Sequence, residues 1–161
     1  MKIINLIDED IINYKEISMF IGMPYCSGKC WKELGLDPSI CQNNCLREAK
    51  VIEIEPEDLI KRYDKSELSK AVVFGGMEPM DSFDDLCRFI FRFRLDHKND
   101  KVVIYTGYKE EELAYKLNIL RTYKNIIVKF GRYVPDSEKR YDTTLGVTLA
   151  SNNQYAKELE Y

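Results

Sequence analysis

Ala71-Val72-Val73-Phe74-Gly75-Gly76-Met77-Glu78-Pro79 is a short apolar run that ends in two glycines, an acid and a proline. Consecutive apolar residues, two of them β-branched, predict a buried strand over Ala71–Phe74. Gly75 and Gly76 permit close approach of a ligand to the backbone. Pro79 turns the chain away from the strand, and a helix is predicted to begin at Ser82. Phe83, Leu86, Ile90 and Phe93 share one face of that helix. Ser82 and Asp85 stand at capping-box spacing, and Asp84 and Asp85 suit the positive end of the helix dipole. On its own this stretch is also what an ordinary strand-to-helix loop with a solvated Glu78 looks like.

The same alternation recurs on both sides. Ile17–Ile21 reads as a strand and is followed by a cysteine-rich stretch over 26–45. Glu57–Lys70 reads as a helix with Pro56 near its start. Lys101–Tyr105 reads as a strand, Glu110–Leu120 as a helix with Leu113, Leu117 and Leu120 aligned, and Asn125–Phe130 as a further strand. Leu145–Leu149 is a candidate fifth. Such alternation predicts an α/β fold with a mostly parallel sheet, covering helices and right-handed crossovers. Sites in these folds lie at the carboxyl ends of the strands. Cys26, Gly75–Pro79, Thr106–Tyr108 and Lys129–Arg132 are therefore expected to converge.

The chain has 161 residues, which predicts one domain over 1–161. A chain of this length buries roughly 70% of its unfolded surface, so no disulfide staples are required. Lys plus Arg number 24 against 27 Asp plus Glu, a formal charge of −3, which argues against a nucleic-acid partner. No apolar run approaches the roughly 20 residues of a membrane span, so no membrane association is expected. Asp8, Glu9 and Asp10 stand where a secretory signal would be basic and apolar, so a cytoplasmic location is expected. Thiols stay reduced there, and the five cysteines point to metal or redox chemistry.

Cys26, Cys30, Cys41 and Cys45 follow the spacing C-x3-C-x10-C-x3-C. Three readings are open. The first is a structural zinc site using all four thiolates, in a non-catalytic interaction module. The second is a disulfide-clamped helical hairpin or a set of unliganded thiols. The third is an iron–sulfur cluster held by three cysteines, with one iron left open. Cys87 lies among Leu86, Phe89 and Ile90 and reads as a small core residue. The lone His97 reads as a solvated residue near a helix end. No conventional acid–base set is visible.

The cysteines and the Gly75-Gly76-Met77-Glu78-Pro79 stretch together resemble the radical S-adenosylmethionine (SAM) superfamily. That family carries a cysteine motif after its first strand and a GGEP motif after its second; here Met77 is inserted before the acid. Within it the chain is similar to the anaerobic ribonucleotide reductase activating proteins, a short branch of the glycyl-radical activases with a C-x3-C-x2-C motif. Cys26 and Cys30 match the first two cysteines. Cys41, followed by Gln42-Asn43, matches the third, with ten residues where the branch has two. Cys45 is its rival. Tyr105-Thr106-Gly107-Tyr108 and, less specifically, Leu149–Gln154 also match, so the resemblance runs over about residues 17–155.

The resemblance implies a truncated, open (β/α) barrel. It implies a [4Fe–4S] cluster on Cys26, Cys30 and Cys41, and SAM bound by its amino group at Gly75, Gly76, Met77 and Glu78. Thr106 and Gly107 are candidates for the SAM methionine or ribose, and Lys129 and Arg132 for its carboxylate or ribose. Met23 and Tyr25 are candidates to shield the cluster, and Tyr105, Tyr108 and Tyr133 to line an adenine pocket. The implied activity is reductive cleavage of SAM to a 5′-deoxyadenosyl radical, fed by a low-potential donor of flavodoxin or ferredoxin type. The implied partner is a glycyl-radical enzyme such as anaerobic ribonucleotide reductase. A stand-alone enzyme acting on a peptide or small molecule is the alternative within the superfamily.

Overall fold

The strand expected over Ala71–Phe74 lies inside a six-stranded sheet and extends through Gly76, with all its residues buried. This is seen in a computed structural model that describes residues 1–161. Along the chain come β1 (Lys2–Ile3), β2 (Asn5–Asp10), β3 (Ser18–Met23), α1 (Lys29–Glu33), β4 (Ile52–Glu53), α2 (Pro56–Tyr63), β5 (Ala71–Gly76) and α3 (Phe83–Asp96). They are followed by β6 (Lys101–Tyr105), α4 (Ala114–Leu120), β7 (Ile126–Phe130), β8 (Arg140–Asp142), β9 (Val147–Leu149) and β10 (Tyr155–Glu158).

The sheet order is β10-β7-β6-β5-β3-β2. Its inner strands β3, β5, β6 and β7 are parallel neighbours in chain order. Both edges are antiparallel: β2 returns along β3, and β10 returns along β7. The central sheet is therefore mostly parallel, as expected, but it stays open at both edges and closes no barrel. The candidate fifth strand does not join it. Val147–Leu149 instead pairs with β8 in a separate two-stranded hairpin.

Alternation along the buried strands divides the core. Val72, Phe74, Val102, Ile104, Ile126 and Val128 face α2, α3 and α4, where they meet Leu59, Phe89, Phe93 and Leu117. Val73, Val103 and Ile127 face the other way and meet Tyr14, Leu145 and Leu149. No helix covers that second face. The β2–β3 loop and the β8–β9 hairpin cover it only in part, and the remaining gap is where the site forms. No helix is long and apolar enough to cross a membrane.

Two local expectations are corrected. The helix expected over Glu57–Lys70 ends at Tyr63. Beyond it the Ser66 hydroxyl accepts the backbone N–H groups of Leu68 and Ser69 and donates to Glu9, so a side-chain turn replaces further helix. The Ser82–Asp85 capping box does not form. Ser82 makes no cap bond, and Asp85 accepts the Lys2 N–H at 3.0 Å instead.

Candidate functional site

The carboxyl ends of β3, β5, β6 and β7 do converge, on a cavity of about 490 Å³. That is within the range that holds a small-molecule ligand. Cys26, Cys30, Cys41, Gly75, Gly76, Met77, Glu78, Thr106, Gly107 and Lys129 all line it. Phe20 and Tyr105 from the uncovered sheet face, together with Val147–Leu149, form its apolar side. A separate groove of about 600 Å³ lies beside Asp8, Asp58 and Arg62 and contains none of the expected site residues.

The cysteine loop is shaped by one glycine and two short turns. Gly28 has φ +73, and a Cβ there would meet the Trp31 ring at 2.5 Å. Its N–H reaches the Cys26 sulfur at 3.3 Å. Cys30 then sits in α1. The residues between Cys30 and Cys41 fold back on themselves: Leu36 N–H bonds the Trp31 carbonyl, and a 3-10 turn over Pro38–Ile40 follows. Asp37 caps that turn by accepting Ser39 N–H at 2.8 Å, and Cys41 closes it. The long spacing thus returns Cys41 to the cavity beside Cys30.

The Cys30 and Cys41 thiols are close enough to perturb each other. The neighbouring Cys30 thiol brings the Cys41 thiol down to about 6, helped by the Asn43 N–H and Arg47 against the opposing effect of burial. The neighbouring Cys41, with burial, pushes Cys30 up. Burial pushes Cys26 up. Cys45 is exposed, rides on the next 3-10 turn (Asn44–Glu48) and lies outside the cavity. Cys87 is half-buried on α3, and burial pushes its thiol up to about 11.

This donor set can be compared with what an ion or a cluster needs. A zinc ion draws four ligands to about 2.3 Å from one point when all are thiolates. No three or more His, Cys, Asp or Glu side chains are grouped closely enough to hold a single ion. Three thiols lining one cavity, with the fourth outside, fit a larger group held at three corners. Thiolate is the ordinary ligand of iron–sulfur clusters.

The glycine–glutamate segment is zipped to the end of β3. Met77 N–H bonds the Met23 carbonyl at 3.0 Å, and Glu78 N–H bonds the Tyr25 carbonyl at 2.8 Å. Gly76 has φ +80, and a Cβ there would lie 2.9 Å from Gly22 Cα and Met23 N, so only glycine passes. The Gly76 carbonyl accepts the Asn43 side-chain amide at 2.5 Å. Glu78, 6% exposed, accepts Thr106 Oγ1 at 2.7 Å, Gly107 N–H at 2.8 Å and Met80 N–H at 3.1 Å. Burial pushes its carboxyl up to about 7, with the three donors pulling the other way. Lys129 is buried and donates to the Gly131 carbonyl at 3.0 Å. Burial brings its amine down to about 8, with the Glu78 charge opposing.

Several expected contacts are rearranged. Thr106 and Gly107 line the cavity, but the Thr106 hydroxyl and the Gly107 N–H are engaged by Glu78. Arg132 turns away from the cavity and forks onto Glu112, Glu33 and the Gly107 carbonyl. Tyr105 and Tyr133 line the cavity, whereas the Tyr108 hydroxyl donates to Asp81 at 2.6 Å, outside it. Met23 is fully buried core, and Tyr25 is exposed. His97 is not a solvated residue: its ring stacks on Phe93 at 4.5 Å and lies between Asp64 and Asp100. Asp10, Asn13 and Leu46 line the cavity without any signal in the local sequence, and Gln154 lines it from the weakly matching Leu149–Gln154 stretch. Asn43 was visible only as the residue after Gln42.

A family model described as a 4Fe-4S single cluster domain matches residues 26–155. The match opens on the first cysteine of the cavity and closes on the first residue of β10. No curated protein and no solved structure gives a match.

Proposed function

From the premise that the chain belongs to the 4Fe-4S single cluster domain family, we propose that Cys26, Cys30 and Cys41 hold a [4Fe–4S] cluster and that SAM binds beside it. The chain then acts as a radical SAM protein that installs a glycyl radical on a partner enzyme, such as anaerobic ribonucleotide reductase. With both cofactors bound, the chemistry supplied is one-electron reductive cleavage of SAM and hydrogen abstraction from the substrate.

The chain's own residues orient and enclose. The thiolate form of each cysteine is the form that would hold iron. The positive-φ turn at Gly76 brings β5 backbone to the cavity with no side chain in the way. Glu78 ties the β5 turn to the Thr106-Gly107 loop, so two strand ends form one rigid wall. The Lys129 ammonium, with a single protein acceptor, has N–H groups left for an anionic ligand atom. The apolar side made by Phe20 and Val147–Leu149 keeps water away.

The observation that carries the proposal is the selection among cysteines: three line one cavity together with the Gly75–Glu78 turn, and Cys45 does not. A low-potential donor of flavodoxin or ferredoxin type and a reducing, cytoplasmic setting belong to the same proposal. The test is anaerobic reconstitution with iron and sulfide. About four irons per chain and a reduced EPR signal that responds to SAM are expected. A glycyl-radical signal on the partner enzyme then separates an activase from a stand-alone enzyme. A colourless protein with stoichiometric zinc would overturn the proposal.

A further inference from the structure

Cys30 sits on a helix that has no buried face. α1 has five residues, and none of them is buried. Short helices are normally stabilised by an apolar face packed on a core. α1 is held by charge instead. Glu33 meets Arg132 Nη2 at 2.6 Å, and Lys29 meets Glu112 at 3.1 Å. Lys32 reaches back to the Ser27 carbonyl at 2.6 Å.

Arg132 is the node of this network. Its side chain is 8% exposed. Nη1 donates to the Gly107 carbonyl at 2.9 Å and to Glu112 at 2.7 Å, and Nη2 donates to Glu112 at 2.8 Å as well as to Glu33. Gly107 uses its own N–H on Glu78. One guanidinium therefore spans the helix that carries Cys30 and the loop that holds Glu78. Arg132 itself does not line the cavity. We infer that Arg132 is a positioning residue, which clamps α1 to the Thr106-Gly107 loop and so presets Cys30 against the Glu78 wall before any group binds. Lysine cannot replace it, because a single ammonium cannot fork onto Glu112 while also reaching Glu33 and the Gly107 carbonyl.

The role rests on Cys30 being a ligand, but the clamp is measurable without a cluster. In cluster-free, reduced protein, hydrogen exchange followed by mass spectrometry should show amides of residues 29–34 exchanging about tenfold faster in Arg132→Gln. Residues 106–108 should loosen with them, while β5, β6 and β7 stay protected. Arg132→Lys should restore this only in part. Glu33→Gln should loosen α1 alone, and it serves as the test if Arg132→Gln does not fold. After reconstitution, Arg132→Lys should alter the line shape of the reduced EPR signal. A control destabilised in the helix layer, Phe93→Leu, should leave both loops and the line shape as in wild type. Unchanged α1 exchange in Arg132→Gln or in Glu33→Gln overturns the clamp. So does loosening spread evenly over β5–β7. Wild-type protein that binds no iron but shows the exchange differences would overturn the cluster proposal and leave the clamp standing.

Discussion

Replacing Glu78 by glutamine tests the central wall of the site. The wild-type carboxyl is raised from 4.5 to about 7, chiefly by burial. At about 1.4 kcal/mol per pKa unit, that corresponds to about 3 kcal/mol. The folded state holds this proton more tightly than the unfolded chain does. The contribution is therefore fully present below about pH 4.5 and is lost as pH rises to about 7. Glutamine cannot ionise, so this loss disappears in the variant. It does pay at low pH, because one carboxylate oxygen becomes an NH₂ group. Placed to keep the Thr106 and Met80 donors on its oxygen, the amide turns NH₂ toward the Gly107 N–H, now 2.8 Å from a donor rather than an acceptor. A buried donor left unmatched costs about 1–3 kcal/mol. Glu78→Gln should thus be less stable than wild type by about that amount near pH 4.5, and should match or exceed it at pH 8. Urea unfolding of the cluster-free, reduced protein across this range gives the difference profile, in which effects of other titrating groups cancel. Parallel profiles for the two proteins would refute the argument that burial governs this carboxyl.

Cys26→Ala, Cys30→Ala and Cys41→Ala should each abolish iron retention after anaerobic reconstitution, whereas Cys45→Ala should keep about four irons per chain; iron and sulfide analysis decides, and loss in Cys45→Ala would reverse the ligand choice. Gly76→Ala places a methyl 2.9 Å from backbone atoms of Gly22 and Met23 at φ +80 and should destabilise by more than about 2 kcal/mol. Gly35→Ala, at φ +62 with nothing within 4 Å, should lose only about 1 kcal/mol in the same urea assay. The Lys129 amine is lowered from 10.5 to about 8, so the folded state binds fewer protons than the unfolded chain between those values and stability rises with pH there. Lys129→Met should remove that rise and weaken SAM binding to the reconstituted protein, read by calorimetry; full SAM affinity in the variant would show that the ammonium faces no ligand.

The inner strands could be read from sequence because each is buried on both faces. Val72, Val73 and Phe74, or Ile126, Ile127 and Val128, form continuous apolar runs. The edges could not. Asn5–Asp10 carries Asp8, Glu9 and Asp10, and Tyr155–Glu158 carries Lys157 and Glu158; charge of this kind keeps an edge from pairing with another chain and also hides it as a strand. Local rules failed where a distant group competed. Asp85 is spaced to cap Ser82, but Lys2 N–H, 83 positions away, takes its carboxylate. The site follows the same division. Its place was legible from topology alone, since strand carboxyl ends converge in any parallel sheet. Its wiring was not: Glu78 bonds Thr106 and Gly107 across 28 and 29 positions, and Arg132 bonds Glu33 across 99.

The cysteines bring both limits together. C-x3-C occurs twice, so spacing treats Cys30 and Cys41 no differently from Cys26 and Cys45. What separates them is backbone conformation. Cys41 closes the Pro38–Ile40 turn with extended dihedrals, φ −63 and ψ 123, which end the turn and aim the chain back at β5. There Asn43 grips the Gly76 carbonyl and anchors the return. Cys45 comes one step inside the next 3-10 turn and is carried outward by it. Asp37, which caps the first turn, and Asn43, which fastens its exit, therefore set which of these thiols joins Cys26 and Cys30 at the cavity. Neither carries a thiol, and neither would be found by counting cysteines.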